Sequence, residues 1–166
     1  MQYAEIIDLY KTDLKRYSLE QLRHISEKGV WSIAQMYDHM ILTALDYLDQ
    51  VQRCASASEE QHESKTEAGE DVFNNHSFPP IKIKLPDGPA NNPSNAGTID
   101  DLMRGLDFVL ERMSQWEGKV RTINPNYKVR HDGFGWLNAK EWFEMVGMHF
   151  RHHLRQKAEL NQRIGY

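Results

Sequence analysis

Apolar residues recur at helical spacing over four stretches of this chain, and the intervals between those stretches lose the pattern. Tyr3, Ile6, Ile7, Tyr10, Leu14 and Tyr17 form the first stripe, with Glu5, Asp8, Lys11 and Lys15 turned mostly outward, which predicts an amphipathic helix over residues 3–17. Ser18 followed by Gln21 caps a short helical turn carrying Leu19 and Leu22, and Gly29 breaks it. Ser32 and Gln35 repeat the capping signal, with Trp31 and Met36 placed as a hydrophobic staple. The second long helix follows to about Arg53, with Met36, Tyr37, Met40, Ala44, Leu48 and Val51 on its stripe. Thr98 with Asp101 opens a third helix running to about Trp116. Asn138 with Glu141 opens a last one, predicted to run unbroken to Arg163.

Between these helices lie two long connections. Residues 54–97 begin small, polar and acidic and end proline-rich, with Ile81, Ile83 and Leu85 alternating with lysines as a short extended stretch would. Residues 118–137 carry Pro125, Gly133 and Gly135 as breakers. So long a link inside a small domain is explained if the second and third helices run parallel, since parallel neighbours need a crossover rather than a tight turn. The expectation is an all-α fold, a four-helix bundle formed by residues 1–166 as a single domain.

Composition narrows the function without naming it. The chain has 166 residues, 40% apolar and 27% charged, with a net charge of −4, as suits a soluble, mildly acidic globular domain. Its 20 lysines and arginines are scattered, with no basic stripe interleaved with aromatics, so nucleic-acid binding is disfavoured. Cys54 stands alone and cannot form an internal disulfide, which fits a reducing cytoplasm. No apolar run is long enough for a signal peptide or a membrane span.

The last helix changes the picture. Its stripe places His149 and His153 where a core-facing helix ordinarily carries leucine, one turn apart, about 6 Å along the axis and about 40° around it. A lone inward histidine is ordinarily a hydrogen-bonded core residue. Two stacked on one stripe are costly unless an ion, a proton or a partner meets them. The stretch reads HFRHH, with Phe150 where a zinc protease of the HExxH type keeps its glutamate. Paired Glu-x-x-His motifs, a GxSxG elbow and a phosphate-binding loop are all missing from the sequence. That leaves a mononuclear site with two histidines and one ligand from a neighbour, the arrangement that keeps a coordination position open. His39, Asp38, His24, His131 and His152 all qualify as the third donor. His152 lies about 80° off the stripe, at its rim, and His39, about 140° from the middle of its own stripe, reads as exposed.

Trp31 and Ser32 opening a helix, His39 eight residues after that tryptophan, a long connection, a third helix, then Gly135 leading to a helix with His149-x-x-x-His153: this layout resembles the DinB/YfiT-type superfamily. The resemblance implies helices in up-down-down-up order with the long crossover between the second and third. It also implies a divalent metal, often zinc or nickel, held by His39, His149 and His153. Dimers are common in that family, so a homodimer is the implied assembly. Characterised members act on small molecules as S-transferases or isomerases that use a low-molecular-weight thiol such as bacillithiol or mycothiol, and many members have no assigned activity. The expected function is therefore a metal-dependent thiol S-transferase. A hydrolase of the same architecture is the first alternative. A non-enzymatic binding protein, with a structural metal or none and Ile81, Ile83 and Leu85 as its surface, is the second.

Overall fold

In the computed structural model, which describes residues 2–80 and 88–166, the four capping signals read from the sequence are all in place. Helix α1 spans Tyr3–Leu14, α2 Leu19–Arg23, α3 Ile33–Ala55, α4 Glu67–Asn75, α5 Ile99–Glu117, α6 Ala139–His152 and α7 Leu154–Arg163. The Ser18, Ser32, Thr98 and Asn138 side chains each accept from the backbone N–H three residues on, and Gln21, Gln35, Asp101 and Glu141 reciprocate. Each such cap meets two of the four orphan N–H groups at a helix start, worth about 1 kcal/mol apiece.

Cross-helix pairs fix the directions. Tyr3 meets Phe143 and Tyr10 meets Phe150, so α1 and α6 run parallel. Tyr47 packs on Trp142 and His39 on His149, so α3 and α6 are antiparallel. Gly105 lies against Ile41 while Arg112 reaches Asp49, which makes α3 and α5 the expected parallel neighbours. The order is up-down-down-up. Ile6, Ile7, Leu22, Met36, Leu48 and Leu106 are fully buried between the helices, each worth roughly 1.5–3 kcal/mol of transfer free energy.

Three expectations need correction. The small, polar and acidic part of the 54–97 link, expected as a solvated loop, contains a helix: Thr66 accepts from Gly69 N–H and starts α4, which escaped periodicity because only Gly69 and Val72 of its nine residues are buried. The 118–137 connection contains an antiparallel hairpin, β1 Lys128–His131 and β2 Gly135–Asn138, docked beside Lys65 and Thr66. The last helix is not continuous. It breaks at His153, although His153 N–H still donates to His149 and Lys157 N–H to His153. One turn before the break Tyr10 donates its hydroxyl to the Phe150 carbonyl at 2.6 Å, a side chain entering the backbone ladder as at other helix bends. The extended stretch expected at Ile81, Ile83 and Leu85 lies outside the described residues. Among those described, no helix is long and apolar enough to cross a membrane.

Candidate metal centre

The antiparallel packing of α3 on α6 brings His39, His149 and His153 together, and it reverses the expectation that His39 is exposed: its exposure is 1%. Periodicity failed there because α3 is covered on more than its apolar stripe. The end of the crossover lies along its wet edge, where Ser94 N–H donates to Asp38, Asn95 pairs with Ser32 and Gln35 donates to the Pro93 carbonyl. That strap places the Ala90 carbonyl 2.6 Å from His39 Nδ1 and leaves the Trp31 ring 5.0 Å from the imidazole.

The three Nε2 atoms converge. His149 Nε2 stands 3.2 Å from that of His39 and 3.1 Å from that of His153. A carbonyl oxygen can only accept, so His39 carries its proton on Nδ1, facing Ala90, and presents a bare lone pair at Nε2. His153 does the same, its Nδ1 donating to Gln156 Oε1 at 2.6 Å. One proton on His149 Nε2 can satisfy only one of these lone pairs at a time, whereas a cation among the three satisfies them together. His149 Nδ1 is buried without a hydrogen-bond partner among the described residues, so no choice of tautomer settles this cluster as an ordinary core network. The donor set therefore fits a divalent metal ion.

Electrostatics point the same way. Burial, and then the neighbouring His153 and His39, hold the His149 pKa well below that of an ordinary imidazole. Burial also lowers His39, and it pushes His153 down to about 4 against the opposing hydrogen bond that its Nδ1 donates to Gln156. All three are neutral at pH 7, the state in which imidazole binds metals. In the cation-free protein this costs stability in acid, because the unfolded chain then binds protons that the native state refuses. Stability should fall as the pH drops from 6.5 towards 4, with His153 alone accounting for about 3 kcal/mol and the other two adding in the same direction. Urea unfolding midpoints of chelator-treated protein across that range check the sign.

None of the other candidate donors joins the cluster. Asp38 holds Ser94, and His24 ends α2 outside the cluster. His131 uses Nδ1 to accept from Gly133 and Phe134 N–H groups in the hairpin turn, with its ring stacked on Phe134 at 4.4 Å. His152 stays at the rim, 5.3 Å from the His153 ring and 5.7 Å from Phe78. Phe78 also packs edge-on against His149, and Tyr47 does so from α3, each ring 6.0 Å away. Sequence reading missed Phe78, Tyr47, Gln156 and the Ala90 carbonyl. Only Gln156, three residues after His153, carried a signal that helical spacing could have used. A cavity of about 310 Å³ opens across α6, bordered by Tyr3, Glu117, Phe143 and Arg151, and none of the three histidines lines it.

A sequence profile of the DinB superfamily matches residues 3–156. The chain belongs to that superfamily. Neither a curated protein nor a solved structure matches it significantly. In this DinB-superfamily protein the profile spans the long helices of the bundle, and with them His39, His149 and His153, which together can hold a metal ion. Gln156 is the residue most open to a direct test. Gln156→Leu should leave the fold intact and weaken metal binding about tenfold, the usual penalty for losing a partner that orients a ligating histidine, and competition with a chelating dye measures it.

Proposed function

We propose that this protein is a metal-dependent enzyme that joins a low-molecular-weight thiol to a small electrophile, with His39, His149 and His153 as the ligands of one divalent cation, zinc or nickel. The observation that carries the reading is the convergence of three Nε2 atoms whose partner nitrogens on His39 and His153 are already committed as donors. No fourth histidine, cysteine or carboxylate joins the cluster among the described residues, which is the donor count of catalytic sites rather than of closed structural ones. Such a cation, when bound, supplies Lewis acidity that lowers the pKa of a thiol or water beside it.

The chain's own contribution is positional. Ala90 and Gln156 hold two rings in the tautomer that offers Nε2. Trp31, Phe78 and Tyr47 surround the imidazoles with apolar rings, so the field of a charge placed there is poorly screened. Among the described residues no carboxylate or cysteine joins the triad, which suits a thiol already acidified by its surroundings. The test is thiol consumption with an aryl halide by protein loaded with zinc or nickel and by chelator-treated protein. Turnover confined to loaded protein supports the assignment, and equal turnover without the ion rejects it. Loaded protein that hydrolyses an activated ester while ignoring thiols would make water the nucleophile and the protein a hydrolase.

A further inference from the structure

Tyr47 differs from the other deeply buried tyrosines of the bundle. Tyr10 gives its hydroxyl to the Phe150 carbonyl, Tyr37 to the Tyr10 carbonyl and Tyr17 to Asn161, as buried phenols ordinarily do. Tyr47 is 9% exposed, yet its hydroxyl has no hydrogen-bond partner among the described residues. It is also not one of the sealed orphans: His149 Nδ1 is the single fully buried side-chain nitrogen or oxygen without a partner among those residues. The Tyr47 ring is therefore enclosed while its oxygen is not fully sealed.

The Tyr47 ring adjoins the triad. Tyr47 lies two turns along α3 from His39, and its ring meets His149 edge-on at 6.0 Å and Trp142 at 5.6 Å. His131 closes a further side at 6.5 Å. An ordinary phenol keeps its proton at neutral pH, so Tyr47 is a hydrogen-bond donor there. A neutral donor held by three rings, with nothing to donate to among the described residues, is arranged to meet a guest.

We propose that the Tyr47 hydroxyl is the hydrogen-bond donor for a small anionic ligand, thiolate or oxyanion, that enters beside the three histidines. This rests on the metal-centre reading above, because the histidines hold the charge that draws the anion in. Donation from Tyr47 orients the ligand and discriminates against guests that cannot accept a hydrogen bond.

Azide is a suitable probe, being a small anion with accepting ends. Native protein and Tyr47→Phe are each loaded with cobalt(II), and azide is titrated while the visible absorption of the ion is followed. The phenylalanine keeps the ring packing on His149, Trp142 and His131, so cobalt affinity should stay within about twofold. The azide dissociation constant should rise about tenfold, the effect of losing one hydrogen bond to a charged acceptor. Equal azide affinity in the two proteins overturns the proposal, as does a Tyr47→Phe protein whose cobalt affinity falls along with it, since the residue would then be structural. Native protein that holds cobalt but takes no azide also overturns it, while leaving the metal centre standing. Native protein that binds no cobalt removes the metal-centre reading and this one together.

Discussion

Alanine at position 149 should empty the site. His149 Nε2 lies within 3.2 Å of both other Nε2 atoms, and the three donor atoms all lie within 4.8 Å of one another. Removing His149 takes out the donor whose Nε2 both other rings meet, and leaves only His39 and His153. Elemental analysis after gel filtration should give about one equivalent of zinc or nickel for the native protein and under a tenth of that for His149→Ala, a loss of affinity of at least about a thousandfold. The variant should nevertheless fold. The imidazole it loses is neutral, and among the described residues its Nδ1 has no partner to strand. Far-ultraviolet circular dichroism indistinguishable from native, with the metal gone, is the expected pairing. A variant that keeps its metal would show that the ion lies elsewhere.

Gly69→Ala is expected to destabilise the protein by about 2–4 kcal/mol, against the usual sign. In a helix interior this change ordinarily stabilises by up to about 1 kcal/mol, because alanine is the better helix former. Here α4 presses its backbone against the hairpin turn, and a Cβ at position 69 would overlap the carbonyl oxygen of Phe134. That carbonyl already accepts from Thr66 N–H, and the Thr66 hydroxyl donates to the Gly133 carbonyl, so the turn is tied at both sides and cannot yield cheaply. Phe134 in turn stacks on Phe78, the ring that covers His149. The same substitution should therefore loosen the wall of the site as well as lower the urea midpoint. A midpoint equal to or above the native one would show that α4 is not wedged against the hairpin.

Much of the bundle was legible in the chain itself. Helix starts announce themselves because a capping box is a local bond between residues three apart, and apolar stripes do so because burial acts on one face of a helix at a time. The parallel course of α3 and α5 followed from the length of the link between them, and the inward aim of His149 and His153 from their place on a stripe otherwise apolar. What escaped was decided by packing between segments distant in sequence. The burial of His39 comes from the strap around Ala90 and from α6, which no period along α3 can register. Helix α4 owes its place to a hairpin more than 60 residues away, and the break at His153 coincides with a hydroxyl supplied by α1. The sequence by itself determined where the long helices begin and that His149 and His153 face the core. Only the tertiary structure decided which three imidazoles meet and which nitrogen each presents, because both depend on hydrogen-bond partners that the chain brings together by folding.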